Sequence, residues 1–142
     1  MFINNNYGGI NLALDQNLLL KLQERMLDDP ELLVKGTFFS CKILMTNSNA
    51  SFLLTFENGE LTEINNSPTV VDEWDFAIKA AEESWEKFLQ PSPPPMFHDV
   101  WAAVWMGHME LEGNIKVFMQ NHYALWRTLR LMREIQNEKI AG

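Results

Sequence analysis

The fold class the sequence predicts is α+β, with five short strands and several amphipathic helices. Asn58-Gly59 separates the two halves of FLLTFENGELTEI, and that dipeptide between strand-like runs is the chemistry a two-residue type I′ hairpin needs. Trp74, Phe76 and Ile78 alternate with Asp75, Ala77 and Lys79, the period of a strand with one buried face. Over 115–132, by contrast, apolar residues recur at helical spacing on a stripe wide enough to demand burial. A chain of 142 residues suits a single core, so 1–142 is expected to form one domain, with 1–14 poorly ordered.

In chain order, Asp15 is the candidate N-cap of a first helix over about 16–28, within an N-terminal helical segment placed at 15–29. Leu18, Leu19, Leu22 and Met26 share one side of it until Asp29-Pro30 interrupts. Thr37-Phe38-Phe39 and Ile43-Leu44-Met45 are runs too continuous for a one-faced strand, so the first strand is expected to be covered on much of both sides. NSNA then turns the chain into strands at 51–56 and 60–64. The fourth strand, 74–79, runs into a helix at 81–89 that sets Trp85, Phe88 and Leu89 opposite Glu82, Glu83, Glu86 and Lys87.

PSPPP stops that helix, and Pro95 suits the first turn of the next, where a missing N–H costs nothing. This next helix gathers Phe97, Val100, Trp101, Val104 and Trp105 on one broad face. Gly107 ends it, and 108–112 alternates as a fifth strand. Gly113-Asn114 turns the chain into a last helix over about 115–135, with Asn114 as its N-cap. Its stripe is Ile115, Phe118, His122, Leu125, Leu129 and Met132, widened by Met119 and Trp126.

Eleven basic and nineteen acidic residues leave a net charge of -8, which disfavours nucleic acid as a partner. No run approaches the roughly 18 apolar residues of a membrane span, and MFINNNYGGIN lacks a signal-like pattern, so a cytoplasmic protein without membrane insertion is expected. Cys41, alone and within TFFSCKILM, reads as a buried thiol. Arg127, Arg130 and Arg133 form a stripe whose first reading is a solvated helix face, and whose second is a site for an acidic head group at a pocket mouth. The two sequons, at Asn49 and Asn65, are incidental without a secretion signal.

No HExxH, CxxC, GxSxG, P-loop or dinucleotide fingerprint occurs, so no catalytic residue, metal or cofactor is assigned. His98 and Asp99 are sequence neighbours that point apart on a helix. His122, on the apolar stripe, reads as a core histidine bonded to backbone rather than a general base. His108, Glu110 and Glu112 share one side of a strand, which an exposed charged face explains better than a metal trio.

Taken in succession, three segments resemble the sterol carrier protein family across roughly 36–132, judged by motif. They are the hairpin FLLTFENGELTEI, the unit WDFAIKAAEESWEKFL with Asp75 and Trp85, and the glycine pair Gly107 and Gly113 in GHMELEGN. The resemblance implies a five-stranded, largely antiparallel sheet covered on one face by helices, with a tunnel between them for sterols, fatty acids or acyl-CoA esters. The chain departs from the family in its acidity, in carrying PSPPP where a glycine turn is common, and in ending KIAG, which is not a peroxisomal address. The implied ligand-binding set is Phe88, Phe97, Trp101, Val104 and Trp105 with Phe118, Met119, His122 and Trp126.

The expected function is therefore binding of a lipid or other apolar small molecule in an internal cavity. One alternative is a small enzyme acting on an apolar substrate in the same cavity, with His122 or His98 as base. The other is an interaction domain whose apolar surface is covered by a second copy or by a partner enzyme. A carbon-lined cavity favours the first, an imidazole paired with a carboxylate the second, and a filled core beneath an exposed apolar patch the third.

Overall fold

The computed structural model describes residues 13–141, so the expectation of disorder over 1–12 lies outside the described residues. Ala13 and Leu14 are buried. Helix α1 (Gln16–Leu27) starts where the Asp15 carboxylate accepts the Leu18 N–H at 2.8 Å, and it buries Leu18, Leu19, Leu22 and Met26. Asp29-Pro30 does more than interrupt. Asp29 caps a second helix, α2 (Pro30–Lys35), accepting the Leu32 N–H at 3.1 Å, and Pro30 occupies the first position, where no donor is needed. Six residues are too few to display a helical period, which is why the pattern alone did not reveal α2.

The sheet holds β1 (Cys41–Thr46), β2 (Ser51–Glu57), β3 (Glu60–Asn65), β4 (Phe76–Lys79) and β5 (Glu110–Gly113) in the order β3-β2-β1-β4-β5. Every pairing is antiparallel except β1 with β4. Asn58 and Gly59 have φ of 50° and 84°, the two positive values a type I′ turn requires. β1 begins later than expected. Phe38 is left 90% exposed in the preceding turn, while Phe39 is buried and stacks on Phe56 at 4.7 Å. β1 also has one buried face rather than two: Cys41, Ile43 and Met45 are buried, Lys42 is exposed and Leu44 is half-buried. Leu44 borders an open pocket together with Pro68 and Trp74 of the 66–75 loop.

Burial pushes the Cys41 thiol up to about 12, with Asp75 adding to the effect. A thiol so rarely ionised is expected to resist iodoacetamide at pH 8 in the folded protein and to alkylate once urea unfolds it. Stoichiometric labelling of the native chain would contradict this placement.

Helix α3 (Glu82–Phe88) holds Trp85, which is fully buried and donates its indole N–H to the Thr46 carbonyl at 2.7 Å. Asp75 precedes β4 rather than lying inside it. Its carboxylate accepts the Lys42 N–H at 2.7 Å and its carbonyl accepts the Asn114 N–H at 2.7 Å, so one residue ties β1 to the start of the last helical segment. The intervening Gly113 has φ of 99°, and a Cβ there would lie 2.7 Å from the Asp75 oxygen and 3.0 Å from the Phe76 Cα. The residues that carry the family resemblance are thus structural: they set the turn, the strand junction and the buried indole.

Two helices differ from expectation. Pro95 lies ahead of helix α4 (Val100–Trp105), which starts where Asp99 accepts the Ala102 N–H at 2.8 Å. The expected last helix is two, α5 (Ile115–Gln120) and α6 (His122–Ala141). Asn114 caps α5 as expected, accepting the Val117 N–H at 3.2 Å. The break falls at Asn121, where the Val117 carbonyl accepts both the side-chain amide at 2.9 Å and the backbone N–H at 3.1 Å. The core joins Leu18, Leu22 and Met26 of α1 to Ile43, Leu54, Phe56, Phe76 and Ile78 of the sheet and Leu129 and Met132 of α6. Among the described residues no helix is long and apolar enough to cross a membrane.

Candidate functional site

α6 packs beside the segment that leaves α3, passes through the prolines and enters α4. Arg133 joins the two sides. Its Nε donates to the Phe88 carbonyl and its Nη2 to the Phe97 carbonyl, both at 2.7 Å, and its guanidinium lies 4.5 Å from the Phe88 ring centre. The proline segment is therefore held at both ends. Burial lowers the Arg133 pKa to about 10, with repulsion from Arg130 acting in the same direction.

The cleft enclosed by this arrangement is lined by Phe88, Val100, Phe118, Leu125, Trp126 and Leu129, with His98, Asp99, His122 and Arg133 as its polar groups. Its free volume is only about 10 Å³. An open groove of about 280 Å³ shares His98 and Arg133 with the cleft and is otherwise bordered by Pro91, Pro93, Arg130, Glu134 and Asn137. Among the described residues neither His98 nor His122 is hydrogen-bonded to a carboxylate, so no acid–base pair is assembled there, and no cluster suited to a metal ion is found.

Of the nine residues expected to bind ligand, Phe88, Phe118, His122 and Trp126 line the cleft. The other five do not. Phe97 is buried and stacks on His108 at 4.4 Å, outside the lining. Val104 is half-buried against the core. Trp101 is partly exposed and meets Phe118 edge-on at 5.4 Å, Met119 is 53% exposed, and Trp105 is 83% exposed. The reason is the delayed start of α4: with Asp99 as cap, Val100 and Ala103 turn inward and Trp101 and Trp105 outward. His122 is not a core histidine. It is an exposed residue whose ring meets Phe118 edge-on at 5.9 Å.

Of the arginine stripe only Arg130 is exposed to solvent. Arg127 makes a two-pronged contact with the buried Asp29, Nη2 to Oδ1 at 2.6 Å and Nε to Oδ2 at 3.0 Å, and also meets Glu134 at 3.2 Å. Arg130 lies over the Trp126 ring at 4.9 Å. The implied ligand-binding set omits His98, Asp99, Val100, Leu125, Leu129 and Arg133 from this lining, although Arg133 belongs to the stripe whose second reading is an acidic head group at a pocket mouth. Arg133 was legible in principle: it follows Trp126 by two turns of α6, with Leu129 between them on the same side.

No protein-family model matches the chain, and no curated protein matches it by sequence. Solved structures do match. A crystal structure of sterol carrier protein 2 superposes with a TM-score of 0.67 at 15% identity, covering 84% of this chain and 96% of that one. A ubiquinone synthesis protein described as UbiJ-SCP2 gives 0.58 at 13% identity, covering 82% and 88%. Sterol carrier protein domain 2 of Helicoverpa armigera gives 0.53 at 16% identity, covering 83% and 87%. The chain has the sterol-carrier-like fold.

Proposed function

We propose that this chain acts as one sterol-carrier-like domain that holds a single lipid or other apolar molecule in the cleft between α6 and the α3–α4 segment, in the cytoplasm. The observation that carries the reading is the lining: six apolar side chains with four polar groups gathered among them, the composition of a small-molecule site, on a fold shared with sterol carrier protein 2. A free volume of about 10 Å³ is far below the roughly 300–1,000 Å³ of a ligand pocket, so the ligand is admitted only by displacement of side chains. α4 and α5 are the cover that moves. Each is six residues long, and among the described residues Trp105 of α4, Met106 at its end and Met119 of α5 are exposed.

Long-chain fatty acids or sterols are expected to quench tryptophan fluorescence saturably at about one molecule per chain. Trp126→Phe should remove most of the response, since Trp126 lines the cleft, and Trp105→Phe should leave it intact. Trp105→Ala should shift stability by no more than about 0.5 kcal/mol, as for other surface changes. The absence of any saturable response, together with no co-purifying lipid in native mass spectrometry, would refute the reading.

One observation favours a second reading: a nearly filled core beneath exposed Trp101, Trp105, Met106, Ile115 and Met119 also describes a surface that meets another protein. Sedimentation velocity across a hundredfold range of concentration separates the two. Self-association abolished by Trp105→Ala, without a ligand response, would put that reading first.

A further inference from the structure

Among the described residues two of the three arginines on α6, Arg130 and Arg133, form no ion pair, and Asp99, which lines the cleft with Arg133, acts on it only through space. The described ion pairs take up Arg25, Lys79, Lys87 and Arg127, and none involves Arg130 or Arg133. In a chain with nineteen acidic residues and a net charge of -8, two adjoining guanidiniums without a carboxylate partner stand out. Arg133 spends its Nε and Nη2 on the carbonyls of Phe88 and Phe97, which satisfy donors but do not cancel charge. Arg130 is steadied over the Trp126 ring, one turn of α6 before Arg133.

Their position is specific. Both border the open groove, and Arg133 and His98 line it and the apolar cleft alike, so the polar and apolar spaces meet at those two residues. Glu134 also borders the groove, but its carboxylate is engaged by Arg127 at 3.2 Å. We propose that the groove receives the anionic head group of the bound molecule, held by Arg130, Arg133 and His98, while its hydrocarbon chain lies in the cleft among Phe88, Phe118, Leu125 and Trp126. This rests on the lipid-binding reading and narrows it: the ligand is a single-chain amphiphile with a carboxylate or phosphate head, and not a neutral sterol. A guanidinium suits such a head because its fork matches two anionic oxygens.

The test compares hexadecanoate with hexadecanol, which share a chain and differ in charge, on the full chain and on Arg130→Gln and Arg130→Lys, by tryptophan fluorescence. Arg130 is exposed, and thermal melts of both variants verify that the fold is retained. The expected result is hexadecanoate bound about tenfold more tightly than hexadecanol, a ratio that falls to about one in Arg130→Gln and largely survives in Arg130→Lys. Equal affinities in the parent protein overturn the head-group assignment and leave the lipid-binding reading standing. Failure of both ligands to bind overturns the lipid-binding reading itself. Inorganic phosphate is the third arm. Saturable phosphate binding that hexadecanoate does not displace would make the groove a site for a free anion and overturn the proposal, whereas mutual displacement supports it.

Discussion

Gly113→Val is expected to cost about 3–5 kcal/mol, the sum of a left-handed backbone forced on a branched residue and an overpacked contact. The position has φ of 99°, and a Cβ would meet the Asp75 oxygen at 2.7 Å, Trp74 Cζ3 at 2.8 Å and the Phe76 Cα at 3.0 Å. Two of those three atoms are backbone, so no rotamer change relieves them. The damage spreads, because the same turn brings the Asn114 N–H to the Asp75 carbonyl and starts α5. In a domain of this size the loss should lower Tm by roughly 10 °C or more. Gly113→Ala should show most of the effect, because the Cβ itself makes the clash. A valine variant melting within a degree or two of the parent would remove Gly113 from this role.

Arg127→Ala should be the other large perturbation. Asp29 has a side chain only 3% exposed and Arg127 12%, so removing the guanidinium strands a buried carboxylate, at a cost of about 3 kcal/mol or more. The Arg127 hydrogen bond holds the Asp29 carboxyl below its ordinary range, against the opposing effect of burial, with the Leu32 N–H assisting. A depressed folded-state pKa stabilises the fold fully above the unfolded value near 4 and is lost as pH falls through the folded value. The parent protein should therefore lose stability as pH drops below about 4. The variant, already without the pair, should lose less across the same window. Melting curves by circular dichroism between pH 2.5 and 7 test this, and parallel pH profiles for the two proteins would argue against it.

The hairpin, the β4–α3 unit and the Gly113 turn were legible because each depends on local chemistry: positive φ at Asn58-Gly59, alternation through Phe76 and Ile78, and a glycine before an Asn cap. What stayed hidden depends on partners distant in sequence. One such partner is the 66–75 loop, which borders an open pocket together with Leu44 of β1. The cleft was half legible. Phe118 of α5 and Trp126 of α6 fall on the cleft side by periodicity, whereas Trp105 and Met119 look equally apolar in sequence and face outward. Arg127, Arg130 and Arg133 carry one spacing and three different duties, and only their neighbours Asp29, Trp126 and the Phe88 and Phe97 carbonyls tell them apart.

The strand order β3-β2-β1-β4-β5 leaves the sheet open, with β3 and β5 at its margins, and an open margin invites another chain to add a strand. Each margin here carries a deterrent. Gln23 of α1 donates to the Leu61 carbonyl at 2.9 Å, occupying a backbone acceptor of β3. β5 is four residues long, displays Glu110 and Glu112, and ends at a glycine turned out of extended geometry. Strand addition and the ribbon-like aggregates it seeds are thereby discouraged, and contact with other molecules falls to the helical side of the domain.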